Sequence, residues 1–139
     1  MTMPTLNAIC AAIQDVVGAV TGIRSAPDTP PEQMSGSVIS IVYPAAGRFT
    51  EIAAGQESGE HTLHLMLATP RSDLRTNWSR MIGLGDTVAR ALLAAGTLNG
   101  TVLNLNLSYT FGGLDQAWSE QPMFGWLFEI SVLTAGSLS

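Results

Sequence analysis

The sequence predicts an α+β fold: an antiparallel four-stranded sheet packed by two helices on one face, with a long hairpin arm. Three observations lead there. Residues 5–21 and 70–95 carry apolar side chains at spacings of three and four, the period of one helix face. Residues 101–111 and 124–133 alternate apolar with other residues, the period of a strand with one buried face. Residues 37–43 and 61–69 are short runs rich in β-branched residues or leucine, bounded by Pro and Gly. The order helix, two strands, helix, two strands lets one sheet bury its apolar face under both helices. At 139 residues and 14.6 kDa, the chain is expected to form one domain over residues 1–139.

The first helix is expected over residues 5–21, with Leu6, Ile9, Ile13, Val16, Val17 and Val20 inward. Thr5 serves as its N-cap and Gly22 as its stop. Pro27, Pro30 and Pro31 then make a stiff connector that cannot continue a helix. The run from Ser37 to Tyr43 reads as a strand ending at Pro44. From Thr62 to Leu67, leucines alternate with Thr62, His64 and Met66. The residues between these runs, 44–60, are long for a hairpin loop. Phe49 to Ala53 is expected to extend the strands into an arm with a mobile tip near Gly55–Ser58.

Thr69-Pro70 reads as N-cap and first position of the second helix, since proline's missing N–H costs nothing there. That helix carries Leu74, Trp78, Met81, Ile82, Val88 and Leu92 on one side, with a bend allowed at Gly83 and Gly85 and an end at Gly96. Asn99-Gly100 makes a turn. Leu103, Leu105, Leu107, Tyr109 and Phe111 then share one face of a strand, while Asn104, Asn106, Ser108 and Thr110 share the other and face water or a polar interface. A loop from Gly112 to Pro122, carrying Asp115, Trp118 and Glu120, leads to the last strand, Phe124 to Leu133.

Composition narrows the function. Charged residues make up 12% of the chain against 46% hydrophobic, about half the usual charge content. Disorder requires the opposite balance. So few charges leave part of the surface apolar, to be covered by another subunit. The net charge is −5, and six scattered arginines with no lysine do not form the basic track of a nucleic-acid reader. The single cysteine, Cys10, excludes an internal disulfide and a cysteine metal cluster, and its apolar neighbours mark it as a small hydrophobe. The segment Met1-Thr2-Met3-Pro4 lacks the basic region of a signal peptide, and no run is apolar enough for a membrane helix. The expectation is a protein made in the cytoplasm, with no membrane partner.

No constellation carries chemistry. His61 and His64, three apart on a strand, lie on opposite faces and cannot share a metal; each is expected at the surface or a sheet edge. Glu57 and Glu60 read as a solvated loop tip. No G-x-S-x-G turn is present, and the glycine pairs do not lie between a strand and a helix as a phosphate loop requires. The expectation is therefore no enzyme, no cofactor and no metal. Phe49 and Trp118 are large aromatics outside the main periodic faces, suited either to folding back on the core or to anchoring a partner. Arg48 beside Phe49 and Asp115 near Trp118 would give polar complementarity around each anchor, and the candidate interface residues are Arg48, Phe49, Glu51 and Trp118.

Taken over residues 5 to 134, the chain resembles the tail terminator (tail completion) proteins of long-tailed bacteriophages and gene transfer agents. The resemblance lies in the order of parts and in local phrases. These are Val20-Thr21-Gly22-Ile23-Arg24, the connector Pro27–Pro31 and Ile39-Ser40-Ile41-Val42-Tyr43-Pro44, then Pro70-Arg71-Ser72-Asp73-Leu74, Leu98-Asn99-Gly100-Thr101 and Phe124-Gly125-Trp126-Leu127-Phe128-Glu129-Ile130. The resemblance implies a non-enzymatic ring, commonly a hexamer, at the head-proximal end of a virion tail. Its partners would be other copies of itself, the tail tube protein and the head–tail connector or stopper, with DNA only as cargo passing through the lumen. The resemblance supplies no residue-level motif, so the interface residues rest on the reading of the side chains alone. The alternatives are a head–tail stopper or adaptor of the same particle, and a small-ligand binding domain.

Overall fold

The computed structural model describes residues 4–20, 39–53, 55–70, 74–98, 100–114 and 123–137. Its elements are α1 (Leu6–Gly18), β1 (Ile39–Ala53), β2 (Gln56–Pro70), α2 (Leu74–Ala95), β3 (Asn104–Leu114) and β4 (Met123–Ser137). The four strands form one antiparallel sheet in the order β1-β2-β4-β3. Both helices pack on the same face of it, as the apolar patterning requires.

The strand period decides which side chains enter the core. Leu63, Leu65 and Leu67 of β2 and Phe124, Trp126, Phe128, Ile130 and Val132 of β4 all point to the helix side and are buried. α1 adds Ile9, Ile13 and Val17, one line at intervals of four, and Thr5 caps it by accepting a hydrogen bond from the Ala8 N–H at 3.1 Å. α2 contributes Met81, Leu84, Val88 and Leu92. α1 lies over β1 and against α2, and α2 crosses β2 and β4 and reaches β3.

Several boundaries differ from the sequence-based expectation. Thr69 and Pro70 belong to β2, paired with Phe124 and Met123, and α2 begins only at Leu74. A long partner strand offered pairing for these residues that local helix signals could not foresee. The stretch 44–60 is ladder rather than loop: β1 and β2 stay paired from Ile39 opposite Ala68 to Ala53 opposite Gln56, with Gly55 in the turn. Pro44, which has no N–H to donate, sits at a register shift on this edge strand, where proline is tolerated. β3 runs on through Gly112 and Gly113 to Leu114, and β4 continues to Ser137. Trp78 and Ile82 are exposed instead of joining the core line of α2, because that line follows Met81, Leu84 and Val88 one notch around the helix. α2 passes through Gly83 and Gly85 as one helix, and Gly96, at φ +61°, ends it. Gly22 and the proline connector lie outside the described residues.

Candidate interface surfaces

The arm brings Arg48 and Phe49 to the surface, but on opposite sides. Adjacent strand residues alternate faces, so Arg48 projects from the face without helices and Phe49 from the face with them. Arg48 sits opposite Glu60 and holds its carboxylate by Nη2 at 2.9 Å and Nε at 3.0 Å. Both side chains are well exposed, so the pair organises the surface more than it stabilises the fold. Phe49 is 59% exposed and lies edge-on to His61, with ring centroids 4.8 Å apart. It therefore uses one side of its ring at home and leaves the other free. Glu51 is placed in β1 opposite Glu57. Trp118 lies outside the described residues. Of the four residues singled out in the sequence, the structure describes the side chains of Arg48 and Phe49, and it places them on opposite faces of the arm.

His61 corrects the expectation of a surface histidine, being only 5% exposed. The imidazole fills the space left by two glycines across the arm. A Cβ on Gly47 would approach its Nδ1 to 2.6 Å, and a Cβ on Gly59 would collide with its Nε2. Thr134 of β4 closes the site by donating from Oγ1 to the Gly59 carbonyl at 3.5 Å. Burial lowers the His61 pKa, because the charged ring loses hydration, and the nearby Glu57 carboxylate pulls partly the other way. His61 thus acts as a neutral spacer that knits the base of the arm. Its signal in the sequence was the placement of Gly47 and Gly59, legible only once the register is known.

His64 faces the other side, as its spacing from His61 predicts. It forms the middle of a line across three strands, with Tyr43 Oη 3.3 Å from Nδ1 and Glu129 Oε1 4.0 Å from Nε2. Tyr43 also donates to the Met66 sulfur at 3.6 Å. Burial raises the Tyr43 pKa, so its phenol stays protonated at neutral pH and keeps the proton it donates to the sulfur. The arrangement is a cross-strand polar lattice on the face without helices, where Met66, Ile41, Ala68 and Met123 are nonetheless buried.

Two shallow cavities lie on that face among the described residues. One, of ≈ 490 Å³, is lined by Arg48, Glu60, Thr62, Asn104, Asn106 and Ser131 among others. Asn106 donates to Asn104 at 3.2 Å within it. The other, of ≈ 440 Å³, is lined by Tyr43, Met66, Thr110, Leu114 and Leu127 with the backbone around Gly112. Asn104, Asn106, Ser108 and Thr110 are all exposed, as their alternation with the leucines predicts. Among the described residues no group of three His, Cys, Asp or Glu could hold a metal ion, and no helix is long and apolar enough to cross a membrane.

The helix side carries a third surface at β3. Trp78 of α2 meets Phe111 at 5.6 Å and Phe124 at 6.4 Å, and Tyr109 leans on Trp126 at 4.8 Å. Tyr109 is nevertheless 64% exposed and Trp78 48%. No protein-family model and no curated sequence matches the chain.

Proposed function

We propose that this protein is a ring-forming structural component of a phage-type tail, of the terminator kind. Its ring sits at the head-proximal end of the tail tube, ends tube polymerisation and joins tail to head. The observation that carries the reading is the sheet itself, in which an even number of antiparallel strands leaves two outer strands, β1 and β3, that run in opposite directions. Copies related by a rotation that preserves strand direction therefore meet edge to edge in antiparallel fashion, the sense the sheet already uses. Such a contact joins two different surfaces, and it closes into a ring when the rotation divides a full turn. The polar face of Asn104, Asn106, Ser108, Thr110, Glu60 and Glu129 suits a hydrated channel. The net charge of −5 per copy suits passage of DNA phosphates without capture. The low charge content fits flanks buried between subunits.

Light scattering after gel filtration tests the reading first. A discrete species near six times 14.6 kDa, which then caps purified tail tubes and stops their growth, is the expected result. A chain that stays monomeric at every concentration and neither binds nor arrests tubes overturns it.

A further inference from the structure

The two layers of this domain are not in register with each other. α1 lies over the edge strand β1, so the helix layer reaches that margin of the sheet. At the opposite margin α2 touches β3, and among the described residues no helix lies beyond it. Leu105, Leu107 and Phe111 are only partly buried there, Tyr109 stands out, and Trp78 and Ile82 of α2 border the gap. β3 also lacks the devices that keep edge strands from pairing. Its eleven residues, Asn104–Leu114, include no charge and no proline. The β1 margin offers a counterpart, a groove of ≈ 500 Å³ between α1 and β1 lined by Asn7, Cys10, Ala11, Gln14, Val42 and Pro44 together with Tyr43.

We infer that the bare β3 margin is a docking surface for a second copy of this chain, in a lap joint. The neighbour's β1 continues the sheet beside β3, and its overhanging α1 covers Tyr109, which enters the groove beside Cys10. The inference deepens the ring reading and rests on it for the identity of the occupant. Three features select a second copy. The two edges run in opposite directions, so the seam is antiparallel. The helix missing at one margin is present at the other. The area is also sufficient: eleven residues at ~3.3 Å each give a seam of about 36 Å, and a sheet-plus-helix thickness of roughly 20 Å makes about 700 Å² per partner. Stable complexes bury about 600–1,000 Å² per partner.

The native cysteine supplies the test. In a Tyr109→Cys variant, oxidised with copper–phenanthroline, the new thiol of one copy lies within disulfide reach of Cys10 of the next. A ladder of covalent oligomers on a non-reducing gel is expected, and it should vanish in the Tyr109→Cys/Cys10→Ser double variant. Ser108→Cys, one residue away on the opposite face, should give no ladder. The exposed pair Tyr109→Arg/Ile82→Glu should weaken self-association at least about 30-fold, the effect of losing an interface hot spot. A covalent dimer that survives Cys10→Ser would mean a two-fold β3–β3 contact and overturn the proposal. A discrete oligomer that neither cross-links nor responds to Tyr109→Arg/Ile82→Glu also overturns it, while leaving the ring reading standing on another seam. A ladder from particles that never close keeps the joint and removes the ring. A monomer without cross-links, at all concentrations, overturns both.

Discussion

Replacing Gly85 by alanine should destabilise this protein, although alanine is the better helix former by about 1 kcal/mol. Gly85 lies in α2 directly under Trp126, and a Cβ at that position would overlap the indole ring. The ring has little room to retreat. Its Nε1 donates to the Met81 carbonyl at 2.7 Å, it stacks on Phe128 at 5.4 Å with an interplanar angle of 3°, and Tyr109 and Phe111 flank it at 4.8 and 5.0 Å. Overpacking of a filled core costs about 1–3 kcal/mol even when neighbours shift. Setting a cost near 3 against the helical gain leaves a net loss of roughly 2 kcal/mol for Gly85→Ala. For a domain of this size that lowers Tm by about 4–8 °C. In a Trp126→Phe background the smaller ring vacates the contact, so the same substitution should become neutral or stabilising by up to about 1 kcal/mol. Urea denaturation of the four proteins in the cycle reads the coupling directly. If Gly85→Ala stabilises the protein with Trp126 intact, the packing of α2 on β4 described here is wrong.

Further expectations concern the sheet, the arm and the cap. Ser40 is fully buried and its hydroxyl has no hydrogen-bond partner among the described residues, so Ser40→Ala should raise stability by about 1 kcal/mol; a loss instead would reveal a partner for that hydroxyl. The depressed pKa of His61 means that the unfolded chain binds the proton more readily than the folded one. Stability is therefore greatest above the unfolded value of about 6.5 and falls as pH drops below it. His61→Gln should flatten the dependence of the urea midpoint between pH 7 and 5, and an unchanged slope would place its source elsewhere. Glu60→Gln removes an exposed ion pair and should change stability by less than ~0.5 kcal/mol, measured in low and high salt. Thr5→Ala removes the α1 cap and should cost about 1 kcal/mol, while thermal melts of Thr5→Ser should stay near the parent.

Much of the architecture was legible because it depends on local period. The spacing of Ile9, Ile13 and Val17 is enough to make one side of α1 apolar in any helix. The alternation of Leu105, Leu107, Tyr109 and Phe111 with Asn104, Asn106, Ser108 and Thr110 is enough to make β3 two-faced. The opposite orientations of His61 and His64 follow from the same rule. Fold class and facing are properties of a few consecutive residues, and the backbone geometry of each element enforces them. The side chains around the arm obey the same rule: Arg48 and Phe49, adjacent in sequence, go to opposite faces by strand alternation.

What only the tertiary structure decided is the pairing of distant segments. The order β1-β2-β4-β3 places the two edges, aligns Gly47 and Gly59 around His61, and lines up Tyr43, His64 and Glu129 across three strands. It also draws Thr69 and Pro70 into β2 against their helix-start signal. None of these juxtapositions leaves a trace in local composition, because each joins groups separated by many residues and is selected by the burial of the whole sheet. By itself the sequence determined which side of each element is apolar. The packed fold decided which of those sides remain uncovered, since α1 settles over β1 and α2 over β2 and β4, which leaves Tyr109 of β3 and Trp78 of α2 exposed at the other margin.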